Sequence, residues 1–208
     1  MKTGIFIAID GIDGSGKSEI VKMLHNHLYS KHKKYRILTT REPTHGKYGN
    51  KIREMLRKEK DPEVSSKKLA ELFIKDREWH LKHTILPFLK SSGRHELNVV
   101  LCDRYYYSTI AFQEAQGMGI KLLLGSNRKF KKPDMALILD SEPLLALKRI
   151  AHRQKEKFEQ LDFMKKVREN FLRLPRLMND NIKIIDSNRP LSEVFESARQ
   201  EVDKLLDY

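Results

Sequence analysis

Short apolar stretches alternate with longer amphipathic ones along this chain. The apolar stretches predict five strands, at Gly4–Asp10, Tyr35–Thr40, Asn98–Cys102, Met135–Asp140 and Lys183–Asp186. The amphipathic ones predict helices over Gly16–Lys31, Lys47–Arg57, Ser65–Leu89, about Ser108–Gln116, from Glu142, and over Leu191–Leu206. We expect Pro87 to help end the third of these helices. Strands separated by helices predict a parallel sheet, and near-continuous apolar strands predict that helices cover both of its faces.

A glycine-rich turn joins the first predicted strand to the first helix. Residues 11–18 read Gly-Ile-Asp-Gly-Ser-Gly-Lys-Ser and match G-x-x-x-x-G-K-[S/T] between a strand and a helix, the context that makes this pattern specific. The backbone N–H groups of such a turn surround phosphate oxygens, and the helix N-terminus adds positive potential. We therefore predict an ATP phosphate site made by Gly11, Ile12, Asp13, Gly14, Ser15, Gly16, Lys17 and Ser18. Lys17 would supply charge to the transferring group, and Ser18 would be a ligand of Mg²⁺.

Charged residues follow two other strands directly. Asp103 and Arg104 come after the third strand, and Arg41-Glu42-Pro43 comes after the second. Ligands of parallel sheets bind beyond the carboxyl ends of the strands, so these positions are candidates for the site. Asp103 could contact Mg²⁺ or its waters, and Arg104 could hold a phosphate in bidentate fashion. A strand-end ion pair and a charged turn are the simpler interpretations.

Two further groups of residues share a helix face. Phe73 and Arg77 lie four residues apart, so a ring and a guanidinium could together hold a planar base, although an aromatic residue on a helix is more often core. Arg149, Arg153 and Lys157 also recur every four residues and would form one cationic stripe if the segment is helical. Such arginines can close over a γ-phosphate, but a solvated basic face has the same spacing.

Composition narrows the class of protein. With 208 residues the chain suits one domain, and its formal net charge of +13 favours polyanionic partners, either nucleotide phosphates or nucleic acid. The basic clusters lack interleaved aromatic residues and any nucleic-acid motif, so nucleic acid is disfavoured. Its one cysteine, Cys102, lies in an apolar run and is expected to be a buried structural thiol.

The apolar runs are also informative about location. None approaches the roughly 18–20 residues needed to span a bilayer. The apolar start is too short for a signal peptide and runs directly into the phosphate loop. We therefore expect no membrane association and a cytoplasmic protein.

The motifs occur in an order that resembles a known family. After the phosphate loop with Asp13 inside it come Thr40-Arg41-Glu42-Pro43, Phe73-Ile-Lys-Asp-Arg77, Asp103-Arg104-Tyr105-Tyr-Tyr-Ser108-Thr109-Ile-Ala-Phe112-Gln113 and Pro133-Asp134-Met-Ala-Leu-Ile-Leu-Asp140. The set resembles thymidylate kinases of the bacterial and archaeal type, from about Ile5 to Ile185. The phosphate loop alone is shared by many families, whereas the ordered set is far more specific.

The resemblance implies a single P-loop kinase domain over residues 1–208, with a short helical lid at about 149–160. It implies transfer of a phosphoryl group from ATP to dTMP with Mg²⁺, and a homodimer. The implied roles fall on Lys17, Asp13, Arg104, Arg149 and Arg153 for catalysis, on Asp13, Arg53, Phe73, Arg77, Arg104, Ser108, Thr109 and Phe112 for dTMP, and on Ser18 and Asp103 for the metal. Asp13 would contact the sugar 3′-hydroxyl, and Phe112 would lie near C2′.

The sequence departs from the family pattern at three places. Lys157 stands where the lid often has arginine, Asp10 stands where glutamate is usual, and Thr44-His45-Gly46 follows Pro43 in place of Gly-Gly-Thr. Two alternatives remain open at this stage. One is a deoxynucleoside kinase or another nucleoside monophosphate kinase on the same fold, and the other is a nucleic-acid-binding P-loop protein.

Overall fold

Five parallel strands form the centre of the molecule. The computed structural model describes residues 4–62, 64–91, 93, 95–151 and 158–207. Its strands are β1 (Gly4–Gly11), β2 (Tyr35–Arg41), β3 (Leu97–Asp103), β4 (Met135–Asp140) and β5 (Ile182–Asp186). They pair in the order β2-β3-β1-β4-β5, and all four pairings are parallel. This confirms the predicted α/β fold with a five-stranded parallel sheet.

Helices connect the strands. They are α1 (Lys17–Lys31), α2 (Lys47–Lys58), α3 (Ser66–His80), α4 (Leu86–Lys90), α5 (Tyr106–Ala115), α6 (Ile120–Asn127), α7 (Pro143–Arg149), α8 (Leu161–Leu177) and α9 (Leu191–Leu206). In the part of the chain that the structure describes, no helix combines the length and the apolar character that crossing a bilayer requires.

Both faces of the sheet are buried because alternate strand residues enter different cores. On β1, Ile5, Ile7 and Ile9 pack with the apolar faces of α1 and α9. Phe6 and Ala8 face the opposite core, which includes residues of α3, α5 and α8. Burying one such side chain stabilises the fold by about 1.5–3 kcal/mol, so two apolar faces per strand explain its continuous apolar sequence. Cys102 is buried in this second core as a free thiol, as predicted.

The long predicted helix is continuous but irregular. A π-helical turn, Leu81–Ile85, joins α3 to α4, and Pro87 lies in the first turn of α4. Proline has no N–H for the preceding turn, and a wider turn accommodates its ring. The chain therefore continues as a helix to Lys90, one residue beyond the predicted end at Leu89, and Pro87 lies in the first turn of α4.

Two helices were not predicted from the pattern. Helix α6 contains Gly125, and α8 contains Pro175 near its end, residues that weaken the helical signal. The helix predicted from Glu142 ends at Arg149, and Ile150 and Ala151 do not continue it. Arg149, the first residue of the predicted stripe, is the last residue of α7. Arg153 and Lys157 themselves lie outside the described residues, as does half of the predicted lid.

Candidate active site

The phosphate loop is shaped by its glycines and by Lys17. Gly14 has a φ of +79°, and a Cβ placed on it would lie 2.2 Å from the carbonyl oxygen of Ala146, so only glycine fits this position. The Lys17 ammonium donates a 2.7 Å hydrogen bond to the carbonyl oxygen of Ile12 and lies 3.5 Å from Ser15 Oγ. These two contacts hold the Lys17 ammonium group against the residues of the phosphate loop.

Lys17 is a poorly solvated cation. Burial lowers its pKa to about 8, and the nearby positive charge of Arg104 acts in the same direction. The charges of Asp13, Asp103 and Asp10 offset part of this effect. A cation that has already lost most of its water attracts an incoming phosphate more strongly than an exposed lysine would.

Ser18 and Asp103, the two residues predicted to hold a metal, lie in contact with each other. Ser18 Oγ donates a 2.7 Å hydrogen bond to Asp103 Oδ2, whereas Asp103 Oδ1 is buried and accepts no hydrogen bond from the described residues. These are oxygen donors, which Mg²⁺ prefers. Among the described residues, no group of three or more His, Cys, Asp or Glu side chains could together hold a metal ion. The residues present fit Mg²⁺.

Arg104, directly after β3, contacts both the phosphate loop and α5. Its φ of +72° places it in the left-handed region, a conformation that costs a non-glycine residue energy and is often found at functional sites. Its guanidinium donates to Asp13 Oδ1 at 2.6 Å, to Ser108 Oγ at 2.8 Å and to the carbonyl oxygen of Gly11 at 3.1 Å. It also lies 5.4 Å from the centre of the Phe112 ring. Four partners fix one cation between the loop and α5.

The buried carboxylate of Asp10 holds the residues around Arg104 in place. Asp10 accepts a hydrogen bond from Ser108 Oγ and a 2.9 Å hydrogen bond from the backbone N–H of Tyr105. Burial raises the pKa of Asp10 to about 7, although the Ser108 hydrogen bond and the charge of Arg104 oppose the shift. Sequence reasoning noted only that Asp10 departs from the family pattern. An acid inside a buried strand was the available signal for a supporting role.

A cavity beside Arg104 contains every residue predicted to bind dTMP. This aromatic cavity is lined by Asp13, Arg41, Glu42, Pro43, Arg53, Leu56, Phe73, Arg77, Arg104, Tyr105, Ser108, Thr109, Phe112, Gln113 and Phe158. It has aromatic rings and cationic groups on its walls, a combination suited to a planar ring that carries an anionic group.

Arg77 is fixed at the wall of the aromatic cavity. It is fully buried, and its Nε and Nη2 contact Glu42 Oε2 at 2.9 and 2.8 Å. Its Nη2 also donates to Thr109 Oγ1 at 2.9 Å, and its Nη1 donates to Asn127 Oδ1 at 2.8 Å. Of its five N–H groups these contacts use four, which leaves one on Nη1. The network holds the guanidinium plane in a single orientation.

Glu42 and Gln113 are two of the cavity residues that sequence reasoning left without a role. Glu42 is buried, and besides Arg77 it contacts His80 Nδ1 at 3.2 Å. The side-chain carbonyl Oε1 of Gln113 is fully buried and has no hydrogen-bond partner among the described residues. An unsatisfied acceptor in a cavity wall is a site for a ligand N–H. The spacing of residues in the sequence does not reveal how the Gln113 side chain is oriented.

A second, more open cleft lies over the phosphate loop. This phosphate-loop cleft is lined by Asp13, Gly14, Ser15, Gly16, Lys17, Ser18, Glu19, Arg41, Asp103, Arg104, Arg149, Ile150, Ser187, Arg189, Pro190, Leu191 and Val194. Arg149 donates a 3.0 Å hydrogen bond to the carbonyl oxygen of Ser187. The residues that follow β5 were not predicted for the site. Asp13, Arg41 and Arg104 line both spaces, so the cleft and the cavity meet at these three residues.

Comparison with known proteins agrees with this geometry. A family model described as thymidylate kinase matches residues 9–198. A probable thymidylate kinase of Archaeoglobus fulgidus is 37% identical over 205 residues, which cover 98% of this chain and 97% of the relative. A thymidylate kinase of Clostridium novyi is 34% identical over 208 residues, which cover 96% of this chain and 98% of the relative. A probable thymidylate kinase of Pyrobaculum calidifontis is 37% identical over 205 residues, with 97% of each chain covered.

Proposed function

The chain belongs to the thymidylate kinase family, and we propose that it transfers the γ-phosphoryl group of ATP to dTMP to give dTDP and ADP. The observation that carries this proposal is the junction of the two spaces at Asp13, Arg41 and Arg104. One space has the phosphate loop of a nucleotide donor, and the other has aromatic and cationic walls for a second nucleotide. Their contact allows direct transfer from one to the other.

On the donor side, the phosphate loop and Lys17 would hold the ATP phosphates. Arg149 and Ser187 also line this cleft, and we propose that they contact the part of ATP beyond its phosphates. Ser18 and Asp103 would hold the Mg²⁺ that accompanies ATP, and when bound that ion would neutralise charge on the phosphate oxygens. Arg153, predicted for the lid, would close over them.

On the acceptor side, two arginines favour a monophosphate over a nucleoside. Arg104 lies where the cavity meets the cleft, and Arg53 lines the same cavity while donating to the carbonyl oxygens of Pro43 and Thr44. An acceptor phosphate between them would have its attacking oxygen directed at the donor. A nucleoside acceptor has no phosphate for these two arginines to bind.

The remaining walls suit thymine. Phe73 and Phe112 line the cavity with Ser108 and Thr109, and an aromatic ring can pack against a planar base. The remaining N–H of Arg77 can donate to a pyrimidine carbonyl, and Gln113 Oε1 can accept a ring N–H. Thymine presents a carbonyl and an N–H at adjacent positions, whereas cytosine presents an amino group and an unprotonated nitrogen. Cytosine would place donor against donor and acceptor against acceptor.

The chemistry required of the protein is positioning and charge neutralisation. Phosphoryl transfer has a loose transition state, so catalysis comes from holding the two phosphates in line and from cations around them. Lys17 and Arg104 supply those cations, and Asp13 fixes Arg104 while it faces the acceptor sugar. We also propose a cytoplasmic location, where both nucleotides are used, and a homodimer, which stays a prediction from the family resemblance.

Replacing Arg104 with alanine distinguishes a monophosphate acceptor from a nucleoside acceptor. We expect kcat/KM for dTMP to fall by about 10²-fold or more, because a desolvated charge pair with phosphate is lost. The low rate with thymidine should fall by a smaller factor than the rate with dTMP, since thymidine has no phosphate for Arg104 to bind. Steady-state ADP release measures both, and Arg128→Ala, an exposed arginine outside both spaces, is the matched control.

The same ADP-release assay distinguishes the monophosphate proposal from the deoxynucleoside kinase alternative. If Arg104→Ala leaves kcat and KM for dTMP unchanged, the acceptor phosphate is not bound there and the monophosphate proposal is wrong. A purified wild-type protein that prefers thymidine would favour the deoxynucleoside kinase alternative.

A further inference from the structure

Arg41 lies where the two nucleotide spaces meet and has no assigned role. It is the last residue of β2, and its register partner on β3 is Asp103, the carboxylate at the magnesium position. The backbone N–H of the next residue, Glu42, donates a 3.0 Å hydrogen bond to the carbonyl oxygen of Asp103, which fixes the strand end beside the phosphate loop. Arg41 lines both the aromatic cavity and the phosphate-loop cleft.

The other arginines and the lysine of the site are already held by the protein. Lys17 donates to Ile12, and Arg77 pairs with Glu42. Arg104 pairs with Asp13, and Arg149 donates to Ser187. Arg53 donates to two backbone carbonyl oxygens. By contrast, the side chain of Arg41 is exposed and makes no hydrogen bond or ion pair to the described residues.

We propose that Arg41 is a catalytic residue that contacts the phosphoryl group while it passes from ATP to the acceptor. This inference rests on the proposed function. The bond between the β–γ bridging oxygen and the γ-phosphorus breaks while a bond forms from an acceptor phosphate oxygen to that phosphorus. Arg41 exchanges no proton in this step and donates hydrogen bonds to the equatorial oxygens.

The position of Arg41 favours contact with the transferring phosphoryl group over binding of ATP alone or of the acceptor alone. A guanidinium that reaches both spaces lies between the two phosphates, where negative charge concentrates only when both substrates are bound. A solvated strand-end arginine, the simpler interpretation, would contribute to neither binding nor rate. The phosphate loop carries Gly14 rather than an arginine, so a cation from β2 would supplement the arginines predicted for the lid.

The test compares four proteins: wild type, Arg41→Ala, Arg41→Lys and Arg36→Ala. Arg36 is the matched control because it is an exposed arginine on the same strand, at the opposite end of the sheet, where it contacts Glu96 at 3.2 Å. We expect Arg41→Ala to lower kcat by about 10²–10³-fold with both KM values within about threefold. Arg41→Lys should recover part of the loss because it keeps the charge without the planar fork.

A second readout does not depend on turnover. Titration of dTMP into enzyme with ADP, Mg²⁺ and aluminium fluoride measures affinity for a mimic of the transferring group, and titration without fluoride measures ordinary binding. Arg41→Ala should lose affinity by at least about tenfold only in the presence of fluoride. Equal affinity of wild type and variant for the mimic, or a kcat within threefold of wild type, would overturn the inference. A raised KM at unchanged kcat would overturn it too, because it would indicate ordinary substrate binding.

Failure of the proposed function would look different. If the wild-type protein does not phosphorylate dTMP, the proposed acceptor is wrong, whatever Arg41 does. The variants are then compared with the acceptor that wild type does use, and a normal kcat for Arg41→Ala with that acceptor overturns the Arg41 inference separately.

Discussion

Replacing Lys17 with methionine is expected to lower kcat for dTMP phosphorylation by about 10³-fold or more, because the transferring group loses a desolvated cation. Methionine keeps most of the volume of the lysine stem. The hydrogen bonds from the ammonium to Ile12 and Ser15 are lost with the charge. Initial rates of ADP release at saturating ATP and dTMP measure the loss.

The same substitution should not destabilise the fold. Burial lowers the pKa of Lys17 to about 8, so the charged form is less favourable in the folded chain than in the unfolded chain. Below pH 8 this difference corresponds to about 3 kcal/mol, and a neutral side chain removes it. We therefore expect the midpoint of thermal unfolding at pH 7 to stay equal or to rise. This separates the loss of activity from misfolding.

Lys22→Met is the matched control, since Lys22 is an exposed lysine on the same helix. It should change neither kcat nor unfolding. An activity of Lys17→Met within tenfold of wild type would mean that residues 11–18 do not hold the phosphate donor, and the site would have to be assigned elsewhere.

Replacing Arg77 with methionine should have the largest effect on stability. Arg77 and Glu42 are both almost fully buried and lie 2.8 Å apart, so the change leaves a buried carboxylate whose main partner is gone. Breaking one partner of such a pair typically costs about 3–5 kcal/mol. Asn127 and Thr109 also lose a donor. Urea denaturation at pH 7 measures the free energy of unfolding.

A double variant keeps this prediction testable if the single variant does not fold. In Arg77→Met with Glu42→Gln the buried charge is absent, so stability should recover by about 1 kcal/mol or more relative to Arg77→Met. Lys75→Met, an exposed lysine on the same helix, should stay within about 0.5 kcal/mol of wild type. If Arg77→Met lowers the free energy of unfolding by less than about 1 kcal/mol, the Arg77 network does not stabilise this cavity wall as described.

The sequence was sufficient to predict the architecture of the sheet and to predict which residues would meet at the candidate site. Because parallel strands end at one edge of the sheet, residues after β1, β2 and β3 were expected to meet, and Ser18 and Asp103 lie in hydrogen-bond contact although 85 positions separate them. The predicted dTMP residues also line one cavity, although Arg53, Phe73 and Arg77 lie on helices α2 and α3 rather than at strand ends. Their individual roles in binding stay predictions.

Other features depend on tertiary packing that local patterns do not encode. Asn127 fixes Arg77 from α6, a helix that the pattern did not predict, across 50 positions of sequence. Asp10 supports Ser108 and Tyr105 through hydrogen bonds that no spacing reveals. The unpartnered oxygen of Gln113 and the position of Arg41 between two spaces become visible only when the side chains are placed.

Transfer to dTMP in preference to other acceptors is the most direct test of the proposed function. Purified wild-type protein is assayed for ADP release with ATP, Mg²⁺ and matched series of dTMP, dUMP, dCMP, dAMP and thymidine. We expect kcat/KM for dTMP to exceed that for dCMP, dAMP and thymidine by at least about 10²-fold, and that for dUMP, which lacks one methyl group, by about tenfold or more. Equal values across the nucleotides, or a preference for thymidine, would contradict it.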